Sequence, residues 1–474
     1  MFTETLSAVS ESQPPGAEPL SPFDLTSRAE LAIRGCTGLT DPNRDSQPYS
    51  YAELHTEPPV ALHAPWDHGD STGHLLEALT LARAMCGSRP DQCDAAYAGL
   101  LQKRQRPDGL LEVPAEPWSA ASPITELDWS QRGALLAWNT RYLSAEDTDA
   151  ERCVERLVRG LMRAAVWEAD MCWFPGSVLP EGGWAGRSPG RGNAGLAGCQ
   201  MLFPLARLAD TTGNEDAGRL AAGMARYLVE RSGAFDRDGN ITPDAPRPLC
   251  INLLCVQGVL KVGLTRGRPD YVDWAKAAFL KVKELGSEFG FFPHTLEGRE
   301  RLQGDTCALA TMIELAVMLG QMGEAAYYAD AERFGRNQLL ESQLQDLSWV
   351  ERRTDTAFSE EIWCANHPPE GITTDSVSGR AIGGFAGWSR PNDAIDPANP
   401  RLMQRSTAAG VRALYDLWHY AVTRQGEAVM VNLIFSRDSR WAAVKSFVPA
   451  EGAVEVMMKT RGVLAVRVPD YAKE

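Results

Sequence analysis

The chain has 474 residues, 44% of them hydrophobic, which is enough to bury one large core or a large core with a small appendage. Its formal net charge is −15 and its pI is about 5.1, and no basic stripe stands out, so nucleic acid is not expected as a partner. No apolar run reaches the roughly 18 residues of a membrane span, so a membrane partner is not expected either.

Residues 1–26 lack the basic start and the apolar centre of a signal peptide, and we expect them to form a flexible lead-in. The ten cysteines are scattered singly, without a CxxC pair. Scattered single cysteines are typical of free thiols in a reducing compartment. The sequence therefore predicts a cytoplasmic protein.

Residues 27–425 repeat one pattern, in which two helical segments with apolar periodicity are joined by a short turn carrying Gly or Asp. The turns lie at Gly87-Ser88, Glu146-Asp147, Gly213-Asn214, Gly267-Arg268 and Gly323-Glu324. They define five helical hairpins, and helices near 27–36 and 405–423 make a sixth pair. Six hairpins in repeats of about 55 to 65 residues predict a mainly α protein, an (α/α)6 toroid.

The connections between hairpins are long, whereas the connections within hairpins are a few residues. Up-down alternation of the helices puts all the long connections at one end of a toroid. They span about 104–128, 168–191, 233–248, 286–304 and 341–403. Because long loops of this kind are usually functional or mobile, we expect the site at this end. The many tryptophans of these loops either stack on sugar rings or cap the end of the barrel.

Residues 426–474 change to β-branched, partly alternating runs separated by polar or Gly turns. The runs are AVMVNLIF, WAAVKSFV, VEVMMK and VLAVRV. Three or four strands are too few for an independent domain. They are predicted to form a short C-terminal β appendage that packs on the helical body.

Several motifs together carry a resemblance to a known family. They are WDHGDSTGH at 66–74, GDTC at 304–307, GGFAGWSRPND at 383–393, STAAGVRALYDLW at 406–418 and VNLIFSRDSRWA at 431–442. In this order, over about residues 28–470, they resemble the β-L-arabinofuranosidase family of glycoside hydrolases. The resemblance implies an (α/α)6 catalytic barrel followed by β-sandwich material, which is much shorter here.

In that family, a zinc ion is held by a Glu-x-Cys pair and two adjacent cysteines, one of which attacks the sugar. Asp305 and Cys307 fall on the Glu-x-Cys positions, but Arg405 and Ser406 replace the adjacent cysteines. One carboxylate and one thiolate are too few ligands for zinc, and a guanidinium repels a divalent cation. We therefore expect no metal, no cofactor and no cysteine nucleophile, with the Cys-x-x-His spacing at 364–367 as an alternative ligand pair.

Paired carboxylates replace the cysteine in our prediction, because two carboxyl groups can hydrolyse a glycosidic bond. The candidates are Glu288, which is one residue out of register with the family's acid/base glutamate, together with Asp305 or Asp70. Asp305 and Asp70 each lie at the start of a predicted helix, so helix capping is the alternative role of both. Cys307, on the same first turn as Asp305, either has a lowered pKa there or is merely buried.

The predicted substrate-binding residues belong to the same motifs and loops. They are Trp66, Asp67, His68, His294, Arg299, Trp388, Asn392 and Arg405. An arginine at a helix N-terminus suits a carboxylate or sulfate group, so Arg405 suggests an acidic sugar. The alternative role of Arg405 is an ion pair with an aspartate of a loop.

The sequence thus predicts a glycoside hydrolase that acts on a sugar or oligosaccharide. If Arg405 binds an anionic group of the substrate, that sugar is acidic. Two alternatives stay open. One is a uronate lyase that uses the same pocket for proton abstraction. The other is a catalytically silent relative that binds a sugar or a partner.

Overall fold

A computed structural model of the protein describes residues 23–64, 68–113, 123–352 and 371–472, without the side chains of Ala145, Arg299 and Glu300. The predicted site residues Trp66 and Asp67, and the Cys-x-x-His pair at 364–367, lie outside this part of the chain. The helices in the described residues are α1 (Leu25–Gly38), α2 (Asp70–Cys86), α3 (Gln92–Arg104), α4 (Trp129–Ala145), α5 (Thr148–Ala164), α6 (Leu202–Thr212), α7 (Glu215–Glu230), α8 (Leu249–Arg266), α9 (Pro269–Leu285), α10 (Thr306–Gly320), α11 (Ala325–Phe334), α12 (Val377–Ala381) and α13 (Gln404–Tyr420).

Each of the five predicted turns separates two helices of a hairpin. Gly87, Gly213 and Gly267 end their helices with φ angles of 68°, 74° and 63°, in the left-handed region that glycine adopts without strain. Asp147 and Asn214 then begin the next helices by accepting backbone N–H groups with their side chains. The turns within the helical hairpins therefore lie where they were predicted.

Six helices contact one another in a closed cycle, in the order α2, α4, α6, α8, α10, α13 and back to α2. We call this cycle the helix ring. Helices α3, α5, α7, α9 and α11 each pack on the ring helix that precedes them, and α1 packs on both α2 and α13. The ring helices are close-packed: a Cβ atom at Gly73 of α2 would lie 2.4 Å from the backbone carbonyl carbon of Gly133 in α4.

Helix α8 shows how thoroughly the ring is buried. Its 18 residues have a mean hydropathy of 1.3, so by length and composition alone it could cross a membrane. Within the fold, however, 72% of these residues are buried. The apolar character of α8 is accounted for by its position in the ring, where α6, α7, α9 and α10 pack around it.

Short strands, which the sequence analysis did not predict before residue 422, lie in the connections between helices. They are β1 (Thr40–Asp41), β2 (Gln47–Pro48), β3 (Tyr51–Glu53), β4 (Val60–Leu62), β5 (Thr125–Glu126), β6 (Val166–Glu168), β7 (Met171–Trp173), β8 (Val178–Leu179), β9 (Gly304–Asp305), β10 (Ile372–Thr373), β11 (Trp388–Ser389) and β12 (Arg401–Met403). The largest sheet has the order β10-β4-β3-β12 and leads directly into α13. It joins the connection after α1 to the connection before α13.

The C-terminal segment contains β13 (Val422–Gln425), β14 (Ala428–Val431), β15 (Arg437–Asp438), β16 (Ala442–Ser446), β17 (Val454–Met458) and β18 (Val463–Val466). They form two three-stranded sheets, β13-β14-β18 and β15-β16-β17, that share a small apolar core. Each of the four predicted runs contains one strand. The first strand begins at Val422, before the predicted boundary at residue 426, and the boundaries between lead-in, toroid and appendage stay a prediction.

A buried carboxylate attaches this appendage to the helical body. Glu332 of α11 accepts hydrogen bonds from Nε of Arg336 at 2.9 Å, from the hydroxyl of Tyr471 at 3.0 Å and from Arg467. Its other contact is the backbone N–H of Ile434 at 3.2 Å. Because a buried charge is stable only when it is paired and hydrogen-bonded, these contacts fix the position of the appendage on α11.

Candidate functional site

The N-terminal ends of the ring helices meet at one end of the ring, and side-chain contacts link them. Arg405 at the start of α13 reaches Asp70 at the start of α2, and Cys307 of α10 lies 3.6 Å from the hydroxyl of Ser406. Arg132 of α4 donates to the carbonyl oxygen of Gln200, just before α6. The long connections that precede these helices therefore converge at this end, as predicted from their lengths.

Asp70, Arg405 and Trp129 form the centre of the site. Nη2 of Arg405 lies 2.5 Å from Oδ2 of Asp70, and the guanidinium carbon stacks 4.0 Å from the centre of the Trp129 ring. Burial alone would raise the pKa of Asp70, but Arg405 and His74 outweigh it and hold that pKa below its usual range. Asp70 does not cap α2, because Gly69 occupies the N-cap position and the carboxylate turns to Arg405 instead.

Arg405 was predicted to bind an anionic group of a ligand, and in the structure its guanidinium already contacts an anion of the protein itself. Its partner is an aspartate, as in the alternative, although this aspartate opens a helix rather than lying in a loop. The Arg405 side chain as a whole is 21% exposed, and its Nε has no hydrogen-bond partner among the described residues. A ligand that reached it would meet a cation whose position Asp70 and Trp129 already fix.

His74 connects Asp70 to Arg132 of the neighbouring ring helix α4. Its Nδ1 lies 3.0 Å from Oδ1 of Asp70 and 2.8 Å from the backbone oxygen of that residue, while Arg132 donates to Nε2. These partners require a neutral imidazole with its proton on Nδ1. Burial, followed by the charge of Arg132, lowers the pKa of His74 against the opposing effect of Asp70. His74 thus orients Asp70 without adding a charge.

Asp305 is the second ionised carboxylate. It caps α10 by accepting the backbone N–H of Cys307 at 2.7 Å, as the capping alternative predicted, and its other oxygen lies 3.1 Å from Nδ1 of His294. Burial opposes ionisation, but His294 and the backbone N–H keep the pKa of Asp305 low. Trp388 pairs with Asp305 across two short strands, and its ring meets the His294 ring edge-on at 4.6 Å.

The thiols around Asp305 are not activated. Burial and the charge of Asp305 raise the pKa of Cys307 to about 12, and burial raises that of Cys250 further. The alternative of a lowered Cys307 pKa at the helix terminus is therefore wrong. Among the described residues, no three His, Cys, Asp or Glu side chains are arranged to hold a metal ion. Neutral thiols beside the Arg405 guanidinium do not fit the zinc centre that the family resemblance implies.

A second acidic pair, Glu126 and Asp128, precedes Trp129. Glu126 accepts the backbone N–H groups of Asp128, Trp129 and Ser130 at 2.6, 2.9 and 2.7 Å, which fixes the start of α4. Burial and the neighbouring Asp128 raise the pKa of Glu126 to about 7. Burial also raises the pKa of Asp128, although one of its oxygens accepts the N–H of Gly198. The site therefore contains carboxyl groups with lowered and with raised pKa.

The other predicted site residues are His68, Glu288, Arg299 and Asn392. His68 is buried 3.5 Å from the amide nitrogen of Gln47, and burial and nearby cations lower its pKa to about 3. Glu288 and Asn392 are exposed on loops. The structure describes the backbone of Arg299, at the start of a short 3-10 turn, but not its side chain. The roles of all four stay predictions.

Four residues of the site were not among the predicted ones: His74, Glu126, Asp128 and Trp129. The sequence did contain a signal for them, since each lies at the start of a ring helix or directly before it. Helix starts that follow long connections all belong to one end of the ring. Their position in the repeat, rather than any motif, identifies them.

No protein-family model and no curated protein matches the chain. Solved structures do match it. A GH127 beta-L-arabinofuranosidase from Geobacillus stearothermophilus T6 superimposes with a TM-score of 0.57 at 13% identity, over 97% of this chain and 70% of that one. A D-mannose isomerase matches with a TM-score of 0.56 at 12% identity, over 82% of this chain and 96% of that one.

An unsaturated glucuronyl hydrolase specific for heparin also matches, with a TM-score of 0.54 at 10% identity, over 84% of this chain and 96% of that one. At these identities the likeness concerns the fold alone. The structural neighbours are six-hairpin glycosidase-like and other carbohydrate-processing enzymes. This chain shares their helical fold.

Proposed function

We propose that this chain is a carbohydrate-active enzyme, a glycoside hydrolase on an (α/α)6 toroid, whose site lies where the ring helices begin. One observation carries the proposal: this end of the ring contains both carboxyl groups with a lowered pKa and carboxyl groups with a raised pKa, together with Trp129 and Trp388. Arg405 and His294 keep Asp70 and Asp305 ionised, whereas burial favours the protonated form of Asp128. A glycosidase needs one carboxyl group of each kind.

In this proposal, Asp128 donates the proton to the leaving-group oxygen, and Asp305 or Asp70 acts as nucleophile or as base toward water. His294 and Arg405 hold the two ionised carboxylates in place. This assignment competes with the sequence-based choice of Glu288 as acid. Glu288 is exposed on a loop, whereas Asp128 is half-buried next to Trp129, so we favour Asp128.

Trp129 and Trp388 support a sugar as the substrate. Each tryptophan neighbours an acidic residue: Trp129 follows Asp128 and stacks on Arg405, and Trp388 lies opposite Asp305 in a strand pair. Aromatic faces pack on the C–H side of sugar rings, while neighbouring carboxylates accept hydrogen bonds from sugar hydroxyls.

The proposal is tested by turnover of a panel of neutral and acidic oligosaccharides and aryl glycosides. Asp128→Asn should lower kcat on natural leaving groups by about 10²- to 10⁴-fold. It should lower kcat far less on dinitrophenyl glycosides, which need no proton donor. Asp70→Asn and Asp305→Asn should lower kcat on both substrate types, and Asp238→Asn, on an exposed loop, is the control.

A loss of kcat in Glu288→Gln rather than Asp128→Asn, with the same dependence on the leaving group, would reassign the acid to Glu288. Turnover that survives each of Asp70→Asn, Asp305→Asn, Asp128→Asn and Glu288→Gln would refute catalysis by carboxylates at this end of the ring.

The partly exposed side chain of Arg405 leads to a proposal about the substrate. Asp70 and Trp129 fix the guanidinium, and its Nε has no hydrogen-bond partner among the described residues, so an N–H group remains for the carboxylate or sulfate group of an acidic sugar. Arg405→Gln should therefore raise KM for uronic or sulfated substrates and leave KM for neutral sugars nearly unchanged. An equal effect on both would mean that Arg405 serves only to hold Asp70.

The ion pair itself favours a second candidate function, a sugar-binding protein without catalysis. Asp70 is fully buried and already neutralised by Arg405, as in a site whose carboxylate has a purely structural role. Thermal stabilisation by a sugar of the panel, without turnover of any member, would support this function over the hydrolase.

A further inference from the structure

One strand of the C-terminal appendage, β17, has an open edge. In the part of the chain that the structure describes, β17 pairs with β16 and with no other strand. Its ladder runs through Ala443 opposite Met457 and continues beyond the strand, where the N–H of Lys459 donates to the carbonyl oxygen of Trp441. An unpaired edge offers a row of free backbone groups to any strand that can approach.

The direction of those groups follows from the ladder. In an antiparallel pair, the N–H and C=O groups of every second residue point to one neighbour, and those of the residues between point to the other side. Lys459 and Ala453 bond toward β16, so the odd-numbered residues do so throughout. The backbone groups of Val454, Val456 and Met458 therefore point away from the sheet, at the open edge.

One exposed apolar side chain lies on β17 itself: Met457, at the centre of the open edge, is 65% exposed. The segment that follows is exposed as well, with Val463, Leu464 and Val466 of β18 at 62%, 39% and 38% and Val468 at 75%. An exposed apolar residue on an unpaired strand edge favours an interaction surface.

The sequence of β17 indicates which partner fits. Around Met457 it carries opposite charges at equal distances, with Glu455 two residues before and Lys459 two residues after. An antiparallel copy of the same strand, related by a two-fold axis at Met457, would place Glu455 opposite Lys459 of the other copy. The same register would place Val456 opposite Met458, both with their backbone groups directed across the interface.

We propose that β17 pairs with β17 of a second copy of this chain, forming a two-fold symmetric dimer with one continuous six-stranded sheet. The interface is isologous, as in most dimers: the same patch is used twice. Its outer face carries two Glu455–Lys459 ion pairs that flank the two Met457 side chains. Lys459 is already paired within the chain with Asp438 of β15, which lies across β16 from the open edge, so in the dimer Lys459 exchanges this partner for Glu455 of the other copy.

The register predicts a specific cross-link. Met457 would face its own copy as a non-hydrogen-bonded pair, because its backbone groups are used by β16. Such pairs have Cα atoms about 4.5 Å apart, within the range that a disulfide bridges. Glu455 and its own copy would be four residues out of register, roughly 13 Å apart along the strand, too far for a disulfide.

The test uses the full chain under mild oxidation, followed by non-reducing electrophoresis and light scattering. Met457→Cys should form a covalent dimer, whereas Glu455→Cys and the unsubstituted chain, which controls for the native cysteines, should not. An equimolar mixture of Glu455→Cys and Lys459→Cys should cross-link again. Equal cross-linking of Met457→Cys and Glu455→Cys would overturn the register.

Charge reversal tests the same interface without cysteines. Glu455→Lys places four lysines at the interface and should raise the dimer dissociation constant at least tenfold, and Glu455→Lys with Lys459→Glu should restore it. Both residues are exposed, so folding is not at stake. A chain that stays monomeric at high micromolar concentration, or a dimer unaffected by Glu455→Lys, would overturn the proposal. Sugar turnover plays no part in either readout, so the proposal stands apart from the proposed function.

Discussion

Arg412 of α13 is a buried cation that contacts carboxylates of two other ring helices. Its Nε and Nη2 lie 2.9 and 2.7 Å from Oε2 of Glu77, and its Nη1 lies 3.5 Å from Oε1 of Glu314. The side chains of all three are at most 6% exposed. Gln257 and Thr140 donate further hydrogen bonds to the two carboxylates. One buried cation thus contacts two buried carboxylates from different helices: it lowers the pKa of Glu77, whereas burial raises that of Glu314. Arg207 lies farther from Glu77, with its Nη1 3.7 Å from Oε1.

Arg412→Met removes this cation and fills most of its volume. Breaking a buried ion pair from one side costs about 3–5 kcal/mol, because the remaining charge is left uncompensated. For 474 residues, at an unfolding entropy of about 2.1 cal/mol/K per residue, this corresponds to a fall in Tm of about 3–5 °C. We expect a defect of this size at pH 8, measured by urea and thermal unfolding of the full chain.

The pH dependence separates this explanation from a packing defect. In the native protein, burial would raise the pKa of Glu77, but Arg412 lowers it, so Glu77 contributes stability above its unfolded pKa of about 4.5 that is lost as pH falls. Without Arg412 the folded pKa rises above 4.5. The contribution is then present at low pH and lost as pH rises, so the variant should be closer to the native protein at pH 5 than at pH 8.

The double variant Glu77→Gln with Arg412→Met is the control. It removes a charge of each sign, and its stability at pH 8 should recover at least half of the loss, since replacing a whole buried pair is often nearly neutral. A cost of Arg412→Met below 1 kcal/mol, or one equal at both pH values, would refute the argument. So would a double variant as unstable as the single one.

Three further outcomes follow from the structure. Gly73→Ala should lower the free energy of unfolding by 2 kcal/mol or more, because its Cβ would overlap the backbone of Gly133, whereas Gly99→Ala, with no atom within 4 Å of the new Cβ, should raise it by up to about 1 kcal/mol in urea unfolding. The pKa of His68 is near 3 in the folded protein and about 6.5 in the unfolded chain, so its contribution to stability is lost as pH falls. Between pH 7.5 and 5, the free energy of unfolding should therefore fall by about 2 kcal/mol more in the native protein than in His68→Gln. Equal losses would contradict burial of a neutral ring. Because the pKa of Cys307 is about 12, its thiol should resist iodoacetamide at pH 8 in the folded protein and react after unfolding, as measured by mass spectrometry. Rapid alkylation in the folded state would show an activated thiol.

Local signals predicted the helical body well. A glycine that ends a helix in the left-handed conformation, as at Gly87, and a side chain that caps the next one, as at Asp147, act through neighbours a few residues away. Asp305 as the cap of α10 was predictable for the same reason. The order of short turns and long connections then fixed which helix ends meet.

Contacts between distant parts of the chain were not predictable in this way. Arg405 and Asp70 are 335 residues apart in sequence, and no local sequence pattern around either residue indicates that the two are paired. The strand Tyr51–Glu53 is three residues long, too short for alternation to show, and exists through pairing with residues 401–403. The pKa directions of Asp70, Asp128 and Cys307 depend on burial, which only the assembled ring determines.

Closure of the helix ring has a consequence for biosynthesis. Helix α13 is the last of the ring to be made, yet it packs on α2, near the beginning of the chain, and on α10. Until residue 420 has left the ribosome, both helices present to solvent an apolar side that α13 later covers. Contacts of such long sequence separation slow folding and leave a nascent chain prone to aggregation. Expression yield should therefore depend on chaperone capacity and on translation running through the final helix without pause.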